Sequence, residues 1–150
     1  DYALWLFGKP KRIFAVGGKL SNLEIETEDT ASVLMECQSN KKVLPVSITL
    51  DFLRSPSHRT CTIVGDQGNI TWDYYGKSLV LKSRVTGKTE TMDFKNLERN
   101  QLFLDELKHF LAAIKGEEST VVDLRSGYES LRMALAARTS IETGEVQVLK

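Results

Sequence analysis

The sequence predicts an α+β domain, a mostly antiparallel open β-sheet with helices packed on one face. Val46, Ile48, Leu50 and Phe52 alternate with Ser47, Thr49 and Asp51, and Ile70, Trp72 and Tyr74 alternate with Asn69, Thr71 and Asp73. A period of two lays an apolar row on one sheet face and a polar row on the other. Gly65-Asp66-Gln67-Gly68, Gly76-Lys77 and Gly87-Lys88 punctuate these runs. Turns so short join antiparallel neighbours, because a parallel pair needs a crossover of about a dozen residues or more. Two stretches near the end, 97–115 and 123–144, repeat their apolar residues at helical spacing instead.

Asp1 suits an N-cap, and Gly8-Lys9-Pro10 is a stop signal, with glycine just past the helix end and proline beyond it. Between them Ala3, Leu4, Trp5, Leu6 and Phe7 leave almost no polar face. A helix apolar all round needs cover on every side, which implies a partner beyond these residues. Lys11 to Val16 reads as a strand interrupted by Gly17-Gly18. The acidic run Glu24, Glu26, Glu28, Asp29 reads as a solvated loop or edge, its carboxylates spaced by two and facing water. The run holds no His and none of the Gly that a calcium loop places among its carboxylates, which argues against a metal site.

Ala31 to Cys37 alternates as a strand, and a turn at Ser39-Asn40-Lys41 leads into the next, where Pro45 suits an edge, a first position or a bulge. From Val43 to Phe94 consecutive strands of one sheet are expected, with a type I turn closed by a left-handed glycine at Gly65 to Gly68. Leu97 to Lys115 carries the stripe Phe103, Leu107, Phe110, Leu111 and Ile114, with Asn96 as cap, Glu98 in the first turn and Gly116 at the end. The second helix starts at Asp123, places Leu124, Tyr128, Leu131 and Leu135 on one stripe and ends at Gly144. Val146, Val148 and Leu149 then supply a last strand. Both late helices are expected on the apolar face of the 43–94 sheet.

At 150 residues the chain is one ordinary domain, and its 41% hydrophobic and 27% charged residues are those of a soluble globular protein. Twenty basic and twenty acidic residues cancel, so no broad field draws in nucleic acid or an anionic membrane, and no apolar run is long enough to span a bilayer. A cytoplasmic location is expected. Cys37 and Cys61 fall in strand-like runs and read as reduced core thiols. The start at Asp1, directly in a helical pattern, reads as a piece of a longer protein.

A self-contained active site is not legible: no glycine-rich loop follows a strand to open a helix, and no Cys and His spacing suits zinc. His109 reads as a surface residue beside Glu106. Arg54-Ser55-Pro56-Ser57-His58-Arg59 brings two guanidinium groups and an imidazole into one loop. It is either an ordinary solvated turn or a group that binds hydroxyls or a carboxylate. Tyr74 and Tyr75 pose a similar question, since one of two adjacent strand residues faces outward in any case.

Taken together, these residues resemble the C-terminal domain of the glucose-fructose oxidoreductase and inositol dehydrogenase family, Gfo/Idh/MocA. The likeness runs over 1–150. It rests on Asp1 with Trp5-Leu6-Phe7-Gly8, on Ile63-Val64-Gly65-Asp66-Gln67-Gly68-Asn69-Ile70 with Trp72-Asp73, and on Arg99-Asn100 with Phe103, Glu106 and Phe110. Asp123, Gly127, Leu131, Ala137, Ser140, Gly144 and Val146 complete it. The resemblance implies the substrate-binding and oligomerisation domain of a two-domain oxidoreductase. Its own N-terminal Rossmann domain would bind NAD or NADP and carry the catalytic lysine, and the catalytic histidine would lie about one turn before Asp1.

No catalytic, cofactor-binding or metal residue is therefore expected here, and no cofactor is expected to bind this stretch by itself. The implied substrate is a sugar, nucleotide sugar or cyclitol hydroxyl, and the implied oligomer is a homo-oligomer formed through the sheet face. The resemblance makes Asp1 a substrate-pocket carboxylate, against the plain reading as a helix cap, and places Arg54, His58 and Arg59 toward the substrate. The alternative is a non-catalytic ligand-binding or dimerisation module.

Overall fold

A computed structural model describes residues 1–39 and 42–149, so Asn40 and Lys41 of the expected 39–41 turn lie outside the described residues. In chain order the elements are α1 (Tyr2–Phe7), β1 (Arg12–Gly18), β2 (Thr30–Ser39), β3 (Lys42–Asp51), β4 (Thr60–Gly65), β5 (Gly68–Asp73), β6 (Ser78–Ser83), β7 (Thr89–Asp93), α2 (Arg99–Ile114), α3 (Leu124–Thr143) and β8 (Gln147–Val148). They fall into two compact units, Asp1–Leu53 with Val121–Lys150, and Arg54–Thr120. The class is the predicted α+β, with two open antiparallel sheets of four strands each.

In the first unit the sheet order is β3-β2-β1-β8. Ile13 and Ala15 are buried while Phe14 and Val16 point the other way and are exposed, the expected alternation. On the buried face Ala3 of α1 and Met133, Ala136 and Ala137 of α3 pack around Ile13, Met35 and Cys37. Helices therefore lie on one face of this sheet. Pro45 sits on β3, an edge strand, where a missing donor costs no ladder bond on the open side. Asp123 caps α3 by accepting the Ser126 amide at 2.7 Å, a bond that also lowers its carboxyl pKa. Gly144 ends the helix at φ 70°, a left-handed conformation in which glycine meets no Cβ penalty. β8 then joins β1 through Ile13↔Gln147 and Arg12↔Val148.

The second unit is a sequential meander, β4-β5-β6-β7, followed by α2. Val43 to Phe94 is thus not one sheet. β3 pairs with β2 from Thr30↔Asp51 to Ser39↔Lys42, while β4 begins a sheet of its own. Alternation identifies a strand but not its neighbour, and the 52–59 connection is too long for a tight hairpin. The expectation that both late helices share that sheet fails for the same reason. α3 packs in the first unit, and α2 belongs to the second, where none of its residues is buried.

α2 begins at Arg99 with Glu98 as its N-cap rather than Asn96, because Leu97 N donates to Phe94 O at 2.9 Å and holds the preceding residues in a turn. Gly68 has φ 154° rather than the left-handed value expected, since it pairs with both Gly65 and Ser83 and so takes part in two ladders. A Cβ there would stand 2.2 Å from Lys82 O. No helix among the described residues is long and apolar enough to cross a membrane.

Candidate functional site

The four residues expected at a substrate site divide between the units: Asp1 belongs to the first, and Arg54, His58 and Arg59 to the second. All four are exposed. In the second unit the loop Arg54–Arg59 contains a cis Ser55–Pro56 peptide and ends where β4 starts. The last paired residues of that hairpin are Thr60↔Asp73, yet Tyr74 N still donates to Arg59 O at 2.9 Å. This extra bond holds Arg59 beside Tyr74, and its guanidinium carbon lies 5.3 Å from the Tyr74 ring centroid, a cation-π arrangement. His58 Nε2 and Thr60 Oγ1 are 3.0 Å apart.

Tyr74 and Tyr75 do not alternate across a strand as expected. β5 stops at Asp73, whose carboxylate accepts the Gly76 amide at 2.8 Å, and this side-chain turn takes both tyrosines off the sheet. Their rings meet edge to face at 5.2 Å, and Trp72 meets Tyr74 edge to face at 6.1 Å. The result is an aromatic row, Trp72, Tyr74, Tyr75, with a guanidinium over its middle ring and Tyr75 58% exposed at its end. Sequence patterning missed the grouping because adjacent aromatics in an apparent strand imply opposite faces; the signal was Asp73 three residues before Gly76.

In the first unit Asp1 borders a groove of about 560 Å³. Its floor is apolar, with Val33, Met35 and Ile48 from the sheet and Met133, Ala137 and Ile141 from α3, and its polar rim includes Glu28, Asp51 and Arg138. The Asp1 carboxylate caps no helix amide; only its carbonyl serves the helix, accepting Trp5 N at 3.0 Å. The acidic run behaves differently from expectation. Glu24 and Glu26 are exposed, but Glu28 is half-buried, takes the Thr27 hydroxyl at 2.6 Å and pairs with Arg138 at 3.4 Å. The Thr27 bond foremost, with Arg138 adding to it, lowers the Glu28 pKa.

Asp29 is internal, 2% exposed. It accepts the Ser21 hydroxyl at 2.5 Å and the Leu20 and Ser21 amides at 2.9 and 2.8 Å, which together bring its pKa to about 2. This carboxylate folds the loop before β2 and is already saturated with donors. Elsewhere His109 is half-buried and lies 2.5 Å from Glu118. Cys37 and Cys61 are free thiols, and burial raises the pKa of Cys37.

A pyrophosphate is commonly held by free amides where a glycine-rich turn opens a helix. The N-cap residues of α1, α2 and α3 are Asp1, Glu98 and Asp123, of which Asp123 bonds a helix amide through its side chain, so none of these three ends is such a glycine-rich turn. Among the described residues no group of three His, Cys, Asp or Glu side chains is placed to hold a metal.

A family model described as the oxidoreductase family, C-terminal alpha/beta domain, matches residues 1–148. A search of curated protein sequences finds no match. Among solved structures, an oxidoreductase from Thermotoga maritima superposes with a TM-score of 0.79 at 24% identity, over 99% of this chain and 44% of that one. An oxidoreductase from Agrobacterium radiobacter, in complex with NAD+, L-tartaric acid and magnesium, gives 0.79 at 18% identity, over 99% and 46%. The WlbA dehydrogenase from Bordetella pertussis, in complex with NADH and UDP-GlcNAcA, gives 0.72 at 22% identity, over 100% and 42%. The chain thus spans less than half the length of these structures, and at such identities the likeness is one of fold.

Proposed function

The chain belongs to the oxidoreductase family as its C-terminal alpha/beta domain, and from that premise we propose that it is the substrate-binding and oligomerisation part of an NAD(P)-dependent oxidoreductase acting on a sugar, nucleotide sugar or cyclitol hydroxyl. The family match over nearly the whole chain carries this reading. The WlbA dehydrogenase, which holds NADH and a nucleotide sugar, supports it by its fold. NAD or NADP would be held by a Rossmann domain outside this chain, in keeping with the lack of a glycine-rich turn at the start of α1, α2 or α3. This chain's contribution is binding: Asp1 offers carboxylate oxygens to hydroxyls, and Arg54, His58 and Arg59 offer donors.

The test is a longer protein that includes the preceding segment, assayed with NAD and NADP against a panel of sugars, nucleotide sugars and inositols. Substrate-dependent NAD(P)H formation is expected, with NADH binding saturably to the longer protein and not to the 150-residue chain. Absence of turnover with every class, or saturable NADH binding to the short chain, would overturn the assignment.

A second reading, a dimerisation module without chemistry, draws on the outward face of the first sheet, where Val16 and Leu34 are 56% and 54% exposed. A dimer of the short chain that Leu34→Lys dissolves, together with an inactive longer protein, would favour it.

A further inference from the structure

We infer that the groove beside Asp1 is a seat for the protein's own chain: α1 continues as a helix for about two turns before Asp1, and that continuation lies along the groove. The inference rests on the reading of the chain as part of a longer protein and goes beyond it by giving the groove an occupant. All the residues that line the groove belong to the first unit.

Direction is the first observation. The Gly8 carbonyl at the end of α1 lies 3.9 Å from the Cys37 thiol, while Asp1, Tyr2 and Ala3 of its first turn form one end of the groove. From there the floor follows β2 backwards, from Met35 through Val33 and Ala31 to Thr30, with Leu50 and Phe52 beside it. The groove therefore leads away from Gly8, in the direction from which α1 comes. Met35 to Thr30 spans about 17 Å at the rise of a strand. The first turn of α1 takes about 5 Å of this, leaving room for about two more turns.

The start of α1 is built for such a continuation. The Asp1 side chain makes no bond to an α1 amide, so no side-chain cap closes the helix there, and carbonyls of preceding helical residues would accept the amides of its first turn. At six residues α1 is also too short to hold by itself, and lengthening adds one bond for each residue fixed.

The walls fit a helix better than a sugar. On α3 the groove is lined by Ser130, Ala134, Ala137 and Ile141, which fall on one ridge at helical spacing, and most of them are small enough for a second helix to approach closely. Met35, Ile48 and Met133 add an apolar floor that a hydroxyl-rich ligand leaves without partners.

The test is the rate at which iodoacetamide labels Ala134→Cys, at an exposed lining position, in a Cys61→Ser background that leaves the buried Cys37 as the other thiol. Three proteins are compared: the 150-residue chain, the same chain with the ~8 native residues before Asp1 restored, about two turns of helix, and the longer protein. Labelling is expected to be at least tenfold slower in the extended chain and the longer protein than in the 150-residue chain. Thr139→Cys, on the side of α3 away from the groove, is expected to react alike in the short and extended chains. Ser130→Cys repeats the measurement on the Ala134 ridge, and the extended chain is expected to gain helical ellipticity.

Equal labelling of Ala134→Cys and Ser130→Cys in the short and extended chains would overturn the inference, even if the longer protein protects both, because another part would then fill the groove. Protection without a gain in ellipticity would overturn the helical continuation. If the longer protein shows no turnover with NAD or NADP while the groove stays protected, the oxidoreductase reading falls and this inference stands; turnover with an open groove removes this inference alone.

Discussion

The hydroxyl of Ser140 accepts a hydrogen bond from the Ala15 amide at 2.9 Å and donates one to Glu145 O at 2.7 Å. β8 pairs with β1 only at Arg12 and Ile13. The amide of Ala15, two residues further along the same edge, has no strand beside it, and Ser140 takes the place of one. The side chain is fully buried at the last turn of α3, so one oxygen joins helix, sheet and chain reversal.

Ser140→Ala should therefore leave a buried amide and a carbonyl unsatisfied and cost about 1–3 kcal/mol. Urea denaturation should show a lower midpoint with an unchanged slope, because the exposed area on unfolding is the same. A loss well below that range would mean that water or another group satisfies the Ala15 amide.

Asp29 predicts an acid-sensitive loop. Its pKa falls from 3.8 to about 2 on folding, chiefly through the Ser21 hydroxyl and then the Leu20 amide. A carboxyl depressed in the folded state adds stability that is fully present above its unfolded pKa and is lost as pH falls through the folded one. The window thus lies between 3.8 and about 2. Asp29→Asn should unfold at a lower temperature at neutral pH and lose less than the wild type across that window. Parallel acid profiles for the two proteins would remove Asp29 from this role.

Two glycines should respond to alanine in opposite directions. A Cβ on Gly17 would stand 2.2 Å from Thr30 O, backbone that cannot move without parting β1 from β2. Gly17→Ala should destabilise by about 1–3 kcal/mol. A Cβ on Gly127, inside α3, meets nothing within 4 Å, so Gly127→Ala should stabilise by about 0.5–1 kcal/mol through helix propensity. Calorimetric unfolding of the pair checks both signs.

Trp5 tests whether a further segment covers α1. It is 81% exposed, as the apolar-all-round helix implied for at least one of its faces. In a Trp72→Phe background its emission should be red-shifted and readily quenched by acrylamide in the 150-residue chain, and blue-shifted and shielded in the longer protein. Equal quenching in both would show that the added segment does not cover α1.

The sequence by itself determined where strands and helices fall and the ends of α3, but not where α2 begins or β5 stops. Alternation marked the cores of β1, β2, β3 and β5, with Ile13 and Ala15 opposed to Phe14 and Val16; Asp123 and Gly144 bounded α3; and Pro45 narrowed its position to an edge, a first residue or a bulge. These follow from local sterics and hydrogen bonding, which neighbouring residues carry with them. Its motifs also named the family, which the match over 1–148 bears out. Only the tertiary structure decided which strands pair, that β3 and β4 belong to different sheets, and that Tyr74 and Tyr75 meet in a turn. It alone brought Ser140 to Ala15, 125 positions apart, and buried Asp29 among its donors while Glu24 and Glu26 stayed in water. The physical reason is common to all of these: they depend on groups distant in sequence or on a turn's exact side-chain bond, and no local period encodes either.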